Sequence, residues 1–512
     1  MDQDFVSIPD LIRTHAAHMP AHPALVLEDR SVGYAELDAM MDRVAASLQR
    51  DGVKPGEVIA ICAATSIEYA AAFLGSVRAG VVVAPLAPDS TPAGLAAMVA
   101  DAGAKFLFLD DSVAGVLAPV IGQIPARRIA LDDSASTTGF SAWQAPAGAV
   151  PREVAIRPDW AFNIIYSSGT TGTPKGIVMP HAFRWAQVKL FGVLGYGPDA
   201  VTLVSIPLYS NVTLSSFLPS LSLGCTVVLM AKFDAAGYLA LAERHRVTHS
   251  MMVPVQFQRI MARADFDRYD LSSFRMKSCG SAPFPAALKA DILARWPGGL
   301  IEYYGMTEGG GVCALLAHQH SDKLHTVGLP AAGHDIRIID DDGRELPRGE
   351  IGEIVGRSGT MMAGYHNLPA KTAEVEWFDA EGRRFIRSGD SGRFDEDGFL
   401  ILLDRKKDMI ISGGFNVYPS DIEAVMRTHP ELADVAVFGV PSQRWGESPM
   451  ACVVLRADAA VAADALLAWT NGQLAKAQRL AAVRIVASLP RSDIGKVLKR
   501  QLRDAHGAET LT

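Results

Sequence analysis

Tyr166-Ser167-Ser168-Gly169-Thr170-Thr171-Gly172-Thr173-Pro174-Lys175-Gly176 is the stretch on which the reading of this chain turns. A mostly apolar run, Phe162 to Ile165, precedes it and reads as a buried strand delivering a loop. The loop then holds almost only hydroxyls and glycines, with one lysine. Glycine lets backbone N–H groups approach an anion closely, and Ser and Thr hydroxyls add rotatable donors. A lysine supplies compensating charge, so the chemistry is that of a polyphosphate cradle. The spacing is not that of a Walker A loop, which needs Gly-Lys-Ser/Thr after its first glycine. The competing reading is an ordinary surface loop rich in Gly, Ser and Thr.

A chain of 512 residues exceeds one small domain and predicts two to four core-forming units. Hydrophobic residues make up 49% and charged residues 20%, enough to bury large cores. The net charge of −8 is spread among interspersed acids and bases, which argues against nucleic acid or an anionic membrane as partner. Cys62, Cys225, Cys279, Cys313 and Cys452 are scattered and form no CxxC or Cys/His cluster, so neither a disulfide framework nor a zinc site is expected. The start, Met1-Asp2-Gln3-Asp4, has no apolar signal core, and no run reaches the length of a membrane span. A cytoplasmic protein is the expectation.

Strand and helix patterns alternate first at Val58–Ala63, Ser66–Arg78 and Val81–Pro85, then at a helix opened by Thr91-Pro92 and a strand at Phe106–Leu109. They alternate again at Val201–Ile206, Thr213–Leu223, Thr226–Met230, Ala235–Arg246 and Thr248–Val253. Such alternation predicts parallel sheets covered on both faces, in two similar α/β halves that face each other. A ligand is expected at the carboxyl ends of the strands. From about Ile336 short strands joined by polar turns such as Asp340-Asp341-Asp342-Gly343 predict an antiparallel, barrel-like unit. Beyond Asp404 a compact α+β module is expected, with a helix near Ser420–Arg427 and another across Ala462–Gln478. The charge-dense Asp404-Arg405-Lys406-Lys407-Asp408 is the expected joint.

Other groups could serve a nucleotide. In Tyr303-Tyr304-Gly305-Met306-Thr307-Glu308 an aromatic can stack on a purine, a hydroxyl can donate to phosphate and a carboxylate can hold Mg²⁺. Asp390 in Ser388-Gly389-Asp390 could accept both ribose hydroxyls, a turn-capping Asp being the alternative. Lys496, in Arg491-Ser492-Asp493-Ile494-Gly495-Lys496, is a charge near the end of the second module.

Together these motifs resemble, in order and from Ile8 to about Arg503, the adenylate-forming superfamily of acyl- and aryl-CoA synthetases, nonribosomal adenylation domains and luciferases. The acyl-CoA and 4-coumarate-CoA ligase-like branch is the most similar. The resemblance implies an α/β N-terminal domain over 1–403, with two facing α/β subdomains and a β-barrel-like subdomain. A small mobile α+β C-terminal domain would follow over 404–512, hinged at Asp404. It implies ATP, Mg²⁺ and CoA as cofactor and co-substrates. Lys496, Thr307, Glu308 and Lys175 would be catalytic, with Glu308 on the metal. Ser167, Ser168, Gly169, Thr170 and Thr171 would hold phosphates; Tyr304 would lie against the adenine with Ser281, Ala282 and Pro283 on its other side, Tyr303 and Gly305 would also be cofactor-binding, and Gly305 would adjoin the acyl pocket. Asp390 and Arg405 would contact the nucleoside, and Gly413, Gly414 and Trp445 would line the CoA tunnel.

By the same resemblance the acid would lie among Tyr209, Ser210, Val212, Ser216, Cys279, Gly280, Gly311 and Val312. That set has no Arg or Lys for a second carboxylate and no Asp for an amino group. Gly309-Gly310-Gly311 would leave room for a flat group, although glycine there could equally serve a backbone turn. The expectation is therefore a ligase for a hydroxycinnamate- or benzoate-type acid, with a medium-chain fatty acid as the alternative. Loading of a carrier protein and a luciferase-type oxidoreductase rank lower, and the oligomeric state, monomer or homodimer, stays open. One departure stands out. Pro207-Leu208-Tyr209 is followed by Ser210 where the family usually has a histidine that gates the carboxylate tunnel.

Overall fold

The computed structural model describes residues 5–167, 175–405, 408–412, 415–442, 445–474, 478–492 and 495–506. The chain forms two compact units. One comprises Met1–Leu324, Ala331–Asp335 and Arg357–Ile386; the other comprises His325–Pro330, Ile336–Gly356 and Arg387–Thr512.

In the first unit, Val58–Cys62 is buried at every residue, as a strand covered on both faces must be. Its side chains alternate between two cores. Val58, Ala60 and Cys62 join a cluster with Leu95 and Val99 of the helix Pro92–Asp101. Ile59 and Ile61 enter the larger cluster. This strand pairs in parallel with Val82–Pro85 and Phe106–Leu109, and the sheet continues through Arg127–Ala130 to Thr138–Gly139. On the other side Val82–Pro85 pairs with Ala161–Ser167, which pairs antiparallel with Lys175–Pro180, and that strand with Gly364–Tyr365.

A second sheet has the parallel order Pro23–Leu27, Thr226–Leu229, Val201–Val204, His249–Met252, Met276–Gly280, Gly299–Tyr304. Arg30–Gly33 and Cys313–Leu316 add to its two sides antiparallel. The larger core is common to both sheets. It takes Ile59, Ile61 and Phe108 from one and Leu25, Val204, Val227 and Leu229 from the other, with Leu37, Met41, Phe73 and Phe217 from helices. Gly75 lets the helices Tyr34–Arg50 and Ile67–Arg78 approach closely, since a Cβ there would lie 2.6 Å from Val44 Cβ. The two α/β halves expected from the sequence are thus present.

Capping follows the residue types. Ser66 accepts from the Tyr69 amide, Thr91 from Gly94 and Asp110 from Val113, each satisfying an otherwise unpaired helix-terminal N–H. Two boundaries differ from expectation. The helix expected at 213–223 is Asn211–Ser222, capped at an extended Ser210, so Asn211 falls inside its first turn. The helix expected to reach Gln478 is Ala463–Asn471. There Asn471 turns its amide onto the Leu480 backbone, donating to its carbonyl at 2.9 Å and accepting from its N–H at 2.8 Å.

In the second unit, Gly352–Arg357 lies between Asp335–Ile339 and Arg384–Phe394, and the last of these pairs antiparallel with Leu400–Arg405. This corrects the barrel-like expectation: the strands form an open sheet. The C-terminal module is α+β, as expected. Leu432–Ser442 and Gly446–Leu455 pair antiparallel, and Ala482–Ile485 adds in parallel. The helices Pro419–Met426 and Ala463–Asn471 pack their apolar faces on this sheet through Ile422, Met426 and Leu466. Among the described residues no helix is long and apolar enough to cross a membrane.

Candidate active site

Ser168, Gly169, Thr170, Thr171, Gly413 and Gly414 lie outside the described residues, and Ser167 and Arg405 are described in their backbone only. The phosphate-loop candidate is the connection of an antiparallel hairpin, with Ser167 opposite Lys175. It therefore differs from a Walker loop, which runs from strand into helix. Gly176 follows at the exit, where a Cβ would meet Ile164 at 2.8 Å and His366 at 3.1 Å.

Across from the hairpin exit stands a residue that the sequence did not single out. Tyr365 lies beside Ile177, and its ring centroid is 4.4 Å from Lys175 Nζ, a cation–π contact. Its hydroxyl donates to Glu308 Oε1 at 2.8 Å. Burial, reinforced by the Glu308 charge, pushes the phenol pKa up, so the hydroxyl remains a donor. Lys175, Tyr365 and Glu308 are thereby joined, although Tyr365 is 57 residues from Glu308 in sequence.

The turn after Glu308 is held by its backbone. The Met362 amide donates to the Glu308 carbonyl at 2.9 Å, and Gly310 donates to Thr360 at 3.0 Å. Gly309 has φ +77°, and a Cβ there would sit 1.8 Å from the Thr360 carbonyl oxygen. Gly310 has φ +91°. These glycines serve the turn, which corrects the argument that they leave room for substrate.

The adenine-side residues meet because two parallel strands end together. Gly280 is paired with Tyr303, so Ser281-Ala282-Pro283 and Tyr304-Gly305 leave neighbouring strand ends. Ser281 holds φ +75°, unusual for a residue with a side chain. Under this end, Glu302 and Lys289 form a buried ion pair; burial raises the Glu302 carboxyl pKa while Lys289 opposes the rise. Thr307 is half-buried.

On the acid side, Tyr303 and Val212 pack against one cluster of Phe191, Tyr196, Cys225 and Met251. A Cβ on Gly280 would lie 3.9 Å from Met251 Cε, and one on Gly305 would lie 3.3 Å from Val312 and 3.6 Å from the Gly311 carbonyl. Val212, Gly280, Tyr303, Gly305, Gly311 and Val312 thus hold together as local groups. Tyr209 is half-buried and Ser210 buried. Ser216 is buried and spends its hydroxyl on the Thr213 carbonyl, and Cys279 is fully buried. Arg184, absent from the sequence reading, lies within the first unit with its guanidinium 2.9 Å from Asn211 Oδ1.

In the second unit, Asp390 sits at a bulge opposite Arg405. Its backbone N–H donates to Ser388 Oγ at 3.0 Å, while the Ser388 hydroxyl donates to the Ile354 carbonyl at 2.8 Å. Gly495, φ +77°, tightens the turn before the half-buried Lys496, whose amide donates to Ser492 Oγ at 3.2 Å. Trp445 is 44% exposed. Among the described residues no three His, Cys, Asp or Glu side chains cluster as a metal cage. A lone Glu308 still fits Mg²⁺, which is commonly held by one or two carboxylates together with substrate phosphates.

Comparison with known proteins identifies the family. The AMP-binding enzyme family matches residues 12–366, and the AMP-binding enzyme C-terminal domain matches 421–496. A feruloyl-CoA synthase from Amycolatopsis sp is 34% identical over 96% of this chain and 97% of its own length. A fatty acid–[acyl-carrier-protein] ligase from Streptomyces coeruleorubidus is 32% identical over 96% and 94%. The solved structure of an amide bond synthetase from Marinactinospora thermotolerans is similar with a TM-score of 0.86 and 28% identity, covering 98% of this chain and all of that one. With the two family matches in chain order, the first covering more than half of the sequence, the chain belongs to the AMP-binding, adenylate-forming enzymes.

Proposed function

We propose that this protein is an ATP-dependent carboxylic acid–CoA ligase that works through an acyl-adenylate on an aromatic acid of the hydroxycinnamate or benzoate type. The observation that carries the reading is the Lys175–Tyr365–Glu308 line at the exit of the phosphate hairpin. The acid's carboxylate attacks the α-phosphorus of ATP; an O–P bond forms, the bridge to the β-phosphate breaks and pyrophosphate leaves. An anion attacking an anion needs positioning and charge neutralisation more than a protein nucleophile. Lys175 draws charge from the leaving phosphates, Thr307 donates to the α-phosphate and Lys496 supplies charge at the reacting carboxylate. Bound at Glu308, Mg²⁺ would add neutralising charge on the phosphates. Tyr304 and Ser281-Ala282-Pro283 take the adenine, and Asp390 and Arg405 take the nucleoside.

The thiolate of CoA then attacks the acyl carbonyl; a C–S bond forms, the mixed anhydride C–O bond breaks and AMP leaves with the electron pair. Trp445 is placed in this reading beside CoA, and a joint at Asp404 lets 404–512 serve each half-reaction in turn. All five cysteines are buried thiols, which suits a reducing, cytoplasmic compartment. The relative that loads an acyl-carrier protein supports a second reading, in which a carrier thiol replaces CoA. AMP release is measured with 4-coumarate, ferulate, benzoate, octanoate and malonate, with and without CoA or a phosphopantetheinylated carrier. CoA-dependent AMP release greatest with an aromatic acid is the expected result. A preference for octanoate overturns the aromatic choice, and release that answers only to carrier overturns CoA as acceptor.

A further inference from the structure

Arg184, on the helix His181–Gly192, is 1% exposed, yet it forms no ion pair among the described residues. Its guanidinium donates only to neutral acceptors. Nε and Nη2 reach Asn163 Oδ1 at 3.2 and 3.0 Å, Nη1 reaches Gln187 Oε1 at 3.0 Å, and Nη2 reaches Asn211 Oδ1 at 2.9 Å. Met179 Sδ lies 3.1 Å from Nη2, and the Phe162 and Phe183 rings stand 5.8 and 5.3 Å away. The residue sits in the opening turns of its helix, where the backbone dipole disfavours a cation. Burial drives its pKa down to about 9. A guanidinium kept in such a place without a carboxylate is expensive for stability, and hydrophobic replacement of buried charges is often neutral or stabilising.

Its chemical consequence is orientation. Guanidinium has five N–H donors and no acceptor, so any amide that meets it must present oxygen. The orientation of an asparagine amide is ordinarily an assignment, but here the partner dictates it. Asn163 is fully buried and gives its oxygen twice. Gln187 gives its oxygen to Arg184 and its Nε2 to Ser215 Oγ at 2.9 Å. Asn211 differs. Its Oδ1 is held by Arg184, and its Nδ2 makes no hydrogen bond among the described residues and is not among the buried unsatisfied atoms. Asn211 is half-buried and adjoins Val212, which packs with Tyr303 on the acid-side cluster. The Asn211 amide is thus fixed in direction, with Nδ2 left to donate elsewhere, one residue along the helix from the wall assigned to the acid.

We propose that Arg184 and Asn211 form a specificity pair in which Arg184 locks the Asn211 amide so that Nδ2 donates to an oxygen acceptor on the acyl portion of the substrate, away from the reacting carboxylate. The substrate class is thereby narrowed from aromatic acids in general to acids bearing a hydroxyl, alkoxy or carbonyl oxygen. This rests on the acyl-adenylate reading above for its location. A site built around a hydrogen bond rejects analogues that lack the partner more strongly than an apolar pocket rejects a missing methylene.

The test is pyrophosphate release without CoA, which reads adenylation whatever the acyl acceptor is. Matched pairs are cinnamate and 4-coumarate, benzoate and 4-hydroxybenzoate, and octanoate and 8-hydroxyoctanoate. Wild type is expected to favour the oxygen-bearing member of at least one pair by tenfold or more in kcat/KM. Asn211→Leu should bring that ratio near one, because the oxygenated acid loses more than its plain partner. Arg184→Met, similar in length and neutral, should also lower the ratio, and Arg184→Lys should restore part of it. No wild-type discrimination in any pair overturns the proposal, as does a ratio that survives both substitutions. An equal fall for both members overturns it too, since it would place Asn211 on the reacting carboxylate. Activity on the octanoate pair alone would sink the aromatic reading while still testing Asn211. If no acid releases pyrophosphate, adenylation itself fails, and acid-induced shifts in melting temperature of wild type and Asn211→Leu for the same pairs decide the pair's role.

Discussion

Replacing Tyr365 by phenylalanine removes one hydroxyl and keeps the ring, which separates the two contacts that Tyr365 makes. The lost contact is the 2.8 Å bond to Glu308 Oε1; the retained one is the ring face 4.4 Å from Lys175 Nζ. A hydrogen bond to an ionised group contributes about 1.5–3 kcal/mol. Glu308 is half-buried, so solvent screening brings the figure to the lower end, about 1.5 kcal/mol. With 1.4 kcal/mol per tenfold, Tyr365→Phe should slow adenylation roughly tenfold. Tyr365→Leu also removes the cation–π contact, about another 1 kcal/mol, and should cost a further roughly fivefold. The assay is pyrophosphate release against Mg²⁺ concentration, with thioester formation from supplied acyl-adenylate as control. Loss of the hydroxyl frees the Glu308 carboxylate from its tether, so half-saturation should move to higher Mg²⁺. The thioester step should be little changed. An unaltered Mg²⁺ dependence, or equal losses in both half-reactions, would refute the argument that Tyr365 acts by positioning Glu308.

Lys496→Ala should lower adenylation by roughly a hundredfold or more, since it removes a charge at the transferring group, yet spare thioester formation from supplied adenylate; equal losses would show that both steps need it. Ser210→His should change KM for the acid and not for ATP, as measured by initial rates; an effect confined to ATP would mean that position 210 does not face the acid. Lys277 is fully buried, donates to the Trp296, Pro297 and Gly298 carbonyls at 3.2, 2.6 and 2.9 Å, and has its pKa pushed by burial to about 7. Because the folded pKa is depressed below the unfolded value, the unfolded chain binds the extra proton between pH 7 and about 10.5. Wild type should therefore gain stability relative to Lys277→Met as pH rises through that window, read as the difference in melting temperature; a flat difference would mean that the three carbonyls keep the ammonium charged.

What was legible in the sequence was what local pattern determines. A continuous apolar run such as Val58–Cys62 is readable as a two-face-buried strand, and Ser66 and Thr91 mark helix starts because their hydroxyls satisfy nearby amides. The barrel-like expectation failed because closure depends on strand number and stagger, which polar turns do not encode. The helix beyond Asn471 failed because the Asn471 amide found a better partner in the Leu480 backbone, outside any local window. Tyr365 was invisible for the same reason on a larger scale: its hydroxyl partner lies 57 positions away. Arg184 was missed because an arginine in a helix is usually solvated, and only its aromatic neighbours Phe183 and Trp185 hinted otherwise.

Selectivity in the acid site does not follow from residue size alone. Counting small residues suggested a roomy pocket, but Gly309 is required by a backbone that passes 1.8 Å from any Cβ placed there. Its smallness therefore reports on the Thr360 carbonyl and says nothing about the substrate. Screening the pocket for charged side chains was equally incomplete, because Arg184 acts one residue removed, through the amide of Asn211. A buried cation with only neutral partners imposes a direction on each amide it touches, and only Asn211 carries that direction to an Nδ2 left to donate elsewhere. Discrimination on this wall is then set by whether the acid brings an oxygen to Nδ2. A shape-based rule would rank acids by width; the amide-orientation rule ranks cinnamate below 4-coumarate although the two rings are equally wide.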